Sequence, residues 1–246
     1  MRQEFVGLSF DSLKIKEALS FVIGRADGAE FAYVVTPNVD HVVRLHDKTT
    51  SKEVRAAYDS AGLCLCDSRV LRLLASVCGV TLQVVPGSDL TDLVLKHCLA
   101  EGDVVNLVGG DDQVGATLRS MFPHISFNQC QPPMGLLDKP DAMAEVEAFL
   151  VSNPARLSLL AIGSPQQELI AYRAMSSGKA TGTALCIGAS IDFITGRAAR
   201  APLMLQNAGL EWLYRLVNEP RRLWRRYLLR GPRIFSIAVS WRFKRR

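Results

Sequence analysis

Asp67 is the carboxylate in this sequence best placed to act as a general base. It directly follows the apolar run Leu63–Cys66 and precedes Ser68. A carboxylate at the end of a strand can deprotonate a hydroxyl that lies within hydrogen-bond reach. The same position also suits the N-cap of the next helix, and position alone favours that role. Base and helix cap therefore both stay open for Asp67.

Polar side chains also follow the β-branched run Phe31–Thr36. Thr36, Asn38 and Asp40 surround Pro37. Hydroxyl, amide and carboxylate groups of this kind could bind sugar hydroxyls, or they could simply shape the turn at Pro37.

A third group begins at Pro165 and continues with Gln166, Gln167 and Glu168. A glutamate in a first helical turn is favoured by the helix dipole. Two further amides exceed what capping requires, which tilts the interpretation towards ligand binding.

Glycines follow two other predicted strands. Gly109 and Gly110 end the run Val104–Val108, and Gly188 follows Ala184–Ile187. A glycine turn before a helix lets a phosphate approach backbone N–H groups. The alternative at Gly109 is a tight turn capped by Asp111, and the missing G-x-G-x-x-G spacing favours that alternative.

No residue set predicts a metal site. The six cysteines show no C-x-x-C pair and the four histidines show no ligand spacing, so buried reduced thiols are the better interpretation. The residues by themselves therefore point to no metal or other cofactor.

The elements that must position these residues alternate between short β-branched runs and helical patterns. This alternation predicts an α/β fold: a Rossmann-like, mostly parallel sheet with helices on both faces. At the N-terminus we predict a strand at Phe5–Leu8 and a helix capped by Asp11 or Ser12. The carboxyl ends of parallel strands share one edge of a sheet, so the polar strand ends should meet in one crevice.

Length and composition suit one large domain with an appendage. The chain has 246 residues, 48% hydrophobic and 22% charged, as is typical of globular proteins. No apolar run approaches the roughly 20 residues that span a bilayer, and the N-terminus lacks the pattern of a secretory signal. We expect a cytoplasmic protein divided into a core, residues 1–202, and a C-terminal helical appendage, residues 203–246.

The appendage is strongly basic. From Glu211 onward there are eleven Arg or Lys and two Glu, a balance of +9, whereas the whole chain carries +5 and residues 1–210 therefore −4. Apolar residues recur at helical spacing, and Pro220 should divide the segment into two helices. Such a helix could lie in an anionic membrane surface, or it could pack on the core with a solvated arginine face. The apolar positions are Leu213, Leu216, Val217, Trp224, Tyr227 and Leu228.

Taken in their order along the chain, the motifs between about Phe31 and Leu229 resemble those of the WecG/TagA/CpsF family of bacterial glycosyltransferases. The motifs that carry the resemblance are Thr36–Asp40, Asp67, Pro86–Leu90, Leu107–Gly110, Gly163–Glu168, Gly196–Pro202 and, most specifically, Gly209–Leu216 with Glu219–Arg222 and Arg225–Leu228. The segment Cys130–Leu136 is most similar to exopolysaccharide-type members.

The resemblance implies inverting, metal-independent transfer of a hexose from a UDP-sugar to a polyprenyl-diphosphate-linked saccharide at the inner membrane face. It implies Asp67 as base, with Thr36, Asn38 and Gln167 in the same catalytic pocket. Donor binding would fall to the strand-end residues Gly109, Gly110, Pro165, Gln166, Glu168 and Gly188. The acceptor diphosphate and the membrane would meet Arg215, Arg222 and Arg225. The partners expected are thus the two substrates and an anionic membrane, with a homo-oligomer possible.

Two positions depart from the family pattern. Ser68 stands where a glycine is common after the base, and Val84 stands where an arginine is common. The missing arginine removes a phosphate or sugar contact.

The alternative function is a non-enzymatic nucleotide- or nucleic-acid-binding module that uses the basic tail. Nucleic-acid binding usually adds exposed aromatic platforms. Aromatic residues make up only 7% of the chain, and those of the tail fall on its apolar stripe, which counts against nucleic acid as a partner.

Overall fold

In the computed structural model, which describes residues 2–26 and 28–244, six parallel strands form one sheet in the order β4-β3-β8-β7-β5-β6. These strands are β3 (Ala32–Val35), β4 (Leu63–Cys64), β5 (Val104–Val108), β6 (Ser126–Cys130), β7 (Leu157–Leu160) and β8 (Thr183–Cys186). A separate antiparallel hairpin consists of β1 (Arg2–Phe5) and β2 (Leu8–Asp11).

Helices cover both faces of the sheet, as predicted. On one face lie α2 (Val39–Leu45), α3 (Lys52–Asp59), α4 (Arg69–Val77), α7 (Pro140–Ser152) and α8 (Gln166–Ser176). On the other lie α1 (Ile15–Ile23), α5 (Gly87–His97), α6 (Asp112–Met121) and the short α9 (Ser190–Ile194). Alternate strand residues supply the two cores: Tyr33 and Val35 face one set of helices, and Val34 faces the other.

The prediction for the N-terminus was wrong in two respects. Val6 (φ 46°) and Gly7 (φ 78°) form a left-handed turn inside the predicted strand Phe5–Leu8, because two-residue hairpins need this backbone shape. Asp11 lies in β2 and does not cap α1. Its carboxylate accepts a hydrogen bond from the Cys64 N–H at 3.0 Å, which covers the edge of β4. Ser12 does not cap α1 either; its hydroxyl donates to the Thr81 carbonyl.

The C-terminal segment is helical throughout its described part. It comprises α10 (Leu203–Asn207), α11 (Glu211–Asn218), α12 (Pro220–Trp224), a π-helical stretch at Arg225–Arg230 and α13 (Arg233–Lys244). Pro220 begins α12, which confirms the predicted break. Arg245 and Arg246, counted in the charge of the tail, lie outside the described residues.

The C-terminal segment packs on the core over only part of its length. Ile234 and Ala238 of α13 are buried in the core, and Trp241 meets Phe5 edge-to-face at 5.2 Å. Helix α11, by contrast, buries no residue. The division near residue 203 stays a prediction. None of the described helices has both the length and the hydropathy required to cross a bilayer.

Candidate active site

A cavity of about 410 Å³ lies where the carboxyl end of β4 meets the C-terminal helices. Its walls combine charged groups with a larger apolar surface. The residues that line the cavity include Asn38, Asp40, Asp67, Arg69, Val70, Glu211, Trp212, Arg215, Arg226, Tyr227 and Phe235. The cavity needs both parts of the chain, since the core supplies the carboxylate at its floor and the tail supplies most of its wall.

Asp67 lies in this cavity and does not cap the following helix. Ser68 caps α4 instead, because its hydroxyl accepts the Leu71 N–H at 3.2 Å. The backbone N–H of Asp67 donates to the Pro37 carbonyl at 3.1 Å, which ties the end of β4 to the turn after β3. The carboxylate is therefore free of a local structural role.

Burial raises the pKa of Asp67 from its ordinary 3.8 to about 8, and the nearby carboxylates of Glu211 and Asp89 raise it as well. The guanidinium groups of Arg200 and Arg215 act in the opposite direction. A carboxylate whose pKa lies near the working pH is suited to accept a proton from a hydroxyl.

Asn38 and Asp40 link the cavity to the tail. Asn38 caps α2 by accepting the Asp40 N–H at 3.0 Å, and its side-chain oxygen lies 3.4 Å from an Arg226 nitrogen. The buried Asp40 carboxylate pairs with Arg44 at 2.6 Å and with Arg226 at 3.4 Å. Arg44 also donates to the Ser164 carbonyl. One carboxylate thus joins the tail, α2 and the loop after β7.

Thr36 is buried beneath the site and is not among the residues that line the cavity. Its hydroxyl donates to the Cys186 carbonyl at 3.4 Å. Gly87 passes so close that a Cβ there would lie 2.9 Å from this hydroxyl, so the start of α5 requires a glycine.

Gln167 and Glu168 are buried at the start of α8, between the carboxyl ends of β7 and β8. The Gln167 carbonyl oxygen accepts the Gly188 N–H at 2.9 Å, and its NH₂ group donates to Glu168 at 2.9 Å. The side-chain oxygen of Gln167 therefore holds the turn at Gly188, while Glu168 fixes the orientation of its amide group. Pro165 and Gln166 lie at the partly buried start of the same helix.

Burial raises the pKa of Glu168, and it lowers that of His41, 4.0 Å away. Lying between Glu168 and Ser164, Tyr58 places its hydroxyl 3.2 Å from the His41 ring and 3.3 Å from the Ser164 hydroxyl. This polar network supports the Gly163–Glu168 loop from below.

The glycine turn after β5 is remote from Asp67. Gly109 and Gly110 lie four strands away from β4, roughly 19 Å at the usual strand spacing. Asp111 caps α6 by accepting the Val114 N–H at 3.0 Å, as the capping interpretation predicted, and it pairs with Arg197 at 2.6 Å.

The three arginines predicted to meet the acceptor do not converge. Arg215 borders both the Asp67 cavity and a second cavity of about 400 Å³. Arg222 borders only the second and pairs with Glu219 at 2.5 Å. Arg225 borders neither of these two cavities, and its guanidinium lies 5.3 Å from the centre of the Trp224 ring.

Sequence reasoning gave Arg226, Glu211 and Arg200 no role at the site, although each lies in a motif that carries the resemblance and the structure places all three around Asp67. Arg226 follows Arg222 by four residues, yet the two guanidinium groups pair with different carboxylates, those of Asp40 and Glu219. This spacing therefore did not indicate the role of Arg226. Arg200 pairs with Asp89 at the rim of the site, a long-range contact that no local pattern indicates.

Among the described residues, no three His, Cys, Asp or Glu side chains come together as metal ligands. Whether the reaction needs an added metal ion stays a question for assay.

The sequence matches the model of the glycosyl transferase WecG/TagA/CpsF family over residues 3–246, essentially the whole chain. The match confirms the resemblance drawn from the motifs.

Proposed function

Because this chain belongs to the WecG/TagA/CpsF family of glycosyltransferases, we propose that it transfers a hexose, with inversion, from a UDP-sugar to a saccharide carried on a polyprenyl diphosphate. The product would enter cell-surface polysaccharide assembly of the exopolysaccharide type. The family is one of enzymes, so the non-enzymatic alternative is set aside.

One observation carries the proposal: Asp67 stands in a cavity that the tail completes, with a pKa of about 8. In the reaction, the carboxylate takes the proton of the acceptor hydroxyl. The hydroxyl oxygen forms a bond to the anomeric carbon of the donor while the bond from that carbon to the diphosphate breaks. The electron pair leaves with UDP, and attack from the face opposite UDP inverts the configuration.

The departing diphosphate needs positive groups. Arg215 and Arg226 reach the Asp67 cavity from the tail, and preorganised cations at a developing charge are an effective form of catalysis. We also propose donor contacts at the turns of Gly188 and Gly109 along the same edge of the sheet. These contacts would use groups other than the two glycine N–H groups, because Gln167 accepts the Gly188 N–H and the Cys130 carbonyl accepts the Gly109 N–H.

The direct test is a panel of radiolabelled UDP-sugars with a polyprenyl-diphosphate-linked saccharide as acceptor. Transfer from one UDP-sugar, with inverted anomeric configuration in the product, is the expected result. Failure of every UDP-sugar with competent acceptors would overturn the proposal.

The same assay tests the metal dependence. We expect full turnover in excess EDTA, because the tail arginines take the place of a divalent ion at the diphosphate. Strict dependence on Mg²⁺ or Mn²⁺ would contradict this and would make the carboxylates Asp111 and Asp112 candidates for its ligands.

A further inference from the structure

Two helices leave the Asp67 cavity side by side and in the same direction. Val70 of α4 and Phe235 of α13 both line the cavity. Near the far end, the Cys78 carbonyl after α4 accepts a hydrogen bond from Arg242 of α13 at 2.7 Å. The Cys78 thiol also lies 3.9 Å from the Ala238 carbonyl. The helices therefore stay adjacent over about two turns, roughly 10 Å.

Apolar side chains follow this seam on both helices. On α4, Val70, Leu73 and Val77 recur at steps of three and four residues; on α13, Phe235 and Val239 are four apart. Arg242 shares the face of Phe235 and Val239, and it reaches Cys78, so this face of α13 is the one turned towards α4. The exposed fractions are 66% for Leu73, 75% for Val77, 56% for Phe235 and 55% for Val239.

Single exposed apolar residues are normal on a protein surface. Five on two neighbouring helices that start at one cavity, four of them more than half exposed, make an apolar surface of the kind that marks an interaction site. We call Val70, Leu73, Val77, Phe235 and Val239 the apolar track.

The cavity end of the track is cationic. Arg69, Arg215 and Arg226 line it. The buried nitrogen Arg69 Nη1 has no hydrogen-bond partner among the described residues, whereas Arg226 Nε lies 3.4 Å from the Asp40 carboxylate. Arg69 is therefore the guanidinium left for an acceptor diphosphate, beside the two that face the departing UDP. Guanidinium groups prefer phosphate and carboxylate oxygens. The cavity thus holds the carboxylate and the cations together, and the apolar side chains of the two helices lead away from it.

We propose that the apolar track holds the first isoprene units of the acceptor lipid, directly next to its diphosphate. The inference rests on the proposed function and adds a subsite to it. An amphiphile with an anionic group joined to a hydrocarbon chain matches the order of groups along the walls. Continuity with the Asp67 cavity favours the reacting lipid over the acyl chains of the bilayer.

The test compares two soluble acceptors that carry the same diphosphate-linked saccharide, one on a single isoprene unit and one on three, with the full chain and without membranes. The wild-type protein should have the larger kcat/KM for the longer chain. Val77→Asn and Val239→Asn should each lower that value about three- to tenfold through lost apolar contact, while kcat/KM for the short acceptor stays the same.

Met134→Asn is the control, because Met134 is 92% exposed in the loop after β6, at the opposite edge of the sheet. It should leave the preference for the longer chain unchanged. Equal use of both acceptors by the wild type would overturn the apolar track, as would an unaltered preference in both valine variants. If both valine variants keep the preference for the longer chain but bind vesicles more weakly, the apolar track contacts the bilayer and not the acceptor lipid. No transfer to either acceptor would instead count against the proposed function.

Discussion

At the scale of single residues, the site depends on the environment of the Asp67 carboxylate, which is free of capping contacts and has a raised pKa. Ser68 caps the helix and the Asp67 backbone N–H binds Pro37, which leaves the side chain free for chemistry. Its raised pKa has a cost in stability, because the folded protein disfavours the charged form.

Asp67→Asn should reduce turnover by about 10²- to 10⁴-fold, the usual scale for loss of a general base. The fold should survive. The stability contributed by protonated Asp67 is complete below its unfolded pKa and is lost as pH rises through about 8. Asparagine cannot ionise, so thermal unfolding should occur at a higher temperature in the variant than in the wild type above pH 8.

Ser68→Ala is the matched control for that variant. It removes the cap of α4 and should cost about 1 kcal/mol of unfolding free energy at every pH, with a much smaller loss of turnover. Turnover of Asp67→Asn within a few-fold of the wild type would refute Asp67 as the base.

The pH profile gives a second residue-scale prediction. Deprotonated Asp67 is the active form, so kcat/KM should rise with pH and level off above about 8. Glu211→Gln removes a negative charge that raises this pKa, and it should move the rising limb to lower pH.

Glu219→Gln is the control for that shift, because Glu219 pairs with Arg222 at the second cavity. Its rising limb should stay at the wild-type pH. If the rising limb of Glu211→Gln also stays at the wild-type pH, the group that titrates in the profile is not Asp67, whose pKa the Glu211 charge raises.

At the scale of elements, Asp40 is one of the points where the tail is fixed to the core. Its carboxylate contacts Arg226 from the π-helical stretch and Arg44 from α2, and Arg44 reaches the loop after β7. A movement of the tail would therefore be transmitted to the loop that we propose to bind the donor.

Arg226→Gln should loosen the tail, and protease cleavage at residues 210–232 should become several-fold faster. Asp40→Asn should have a similar effect, and the double variant should be little worse than either, with a coupling of about 1 kcal/mol. Limited proteolysis followed by mass spectrometry measures this.

Arg225→Gln is the control, since the Arg225 guanidinium contacts the Trp224 ring and not the core. Strictly additive effects of Arg226→Gln and Asp40→Asn would rule out the link between these two residues.

At the scale of the whole molecule, the tail exposes a large apolar surface beside its arginines. Val217, Trp224, Leu228 and Leu229 are exposed on the α11–π-helical part, and Arg221, Arg225 and Arg230 lie among them. We therefore propose, as one of the two interpretations drawn from the sequence, that this surface docks on an anionic membrane. Tyr227 of the predicted stripe lines the Asp67 cavity instead.

We expect the protein to co-sediment with anionic vesicles. Each Lys or Arg near the surface contributes about 1 kcal/mol, so binding should weaken in high salt, yet persist through the unscreened apolar contacts. Leu229→Asp with Val217→Asp should reduce binding strongly at all salt concentrations. Met134→Asp serves as the control, and equal binding by all three proteins would refute membrane docking.

These point variants are better probes than truncation before Leu203. Truncation would remove Ile234 and Ala238 from the core and take Trp241 away from Phe5. A truncated chain would therefore lose core packing as well as the tail, so loss of vesicle binding could not be attributed to the tail alone.

The sequence by itself determined the α/β fold, most of its strands and the position of Asp67 at a strand end. Hydrophobic periodicity and strand-end residues are local properties, because each can be recognised within a short window of sequence. The same holds for Pro220, whose fixed backbone angle and missing N–H divide the tail wherever the tail lies.

Only the tertiary structure decided which distant groups surround Asp67. The role of Arg226 as partner of Asp40 depends on a contact between residues 186 positions apart, whereas Ser68 caps α4 through a contact only three residues along the chain. The β1–β2 hairpin is also local and was missed because Val6 adopts a positive φ that few non-glycine residues adopt. The role of Asp11, by contrast, is long-range, since its carboxylate serves the edge of a strand 53 residues later. Burial and long-range charge set the pKa of Asp67, and both arise only when the tail closes over the end of β4.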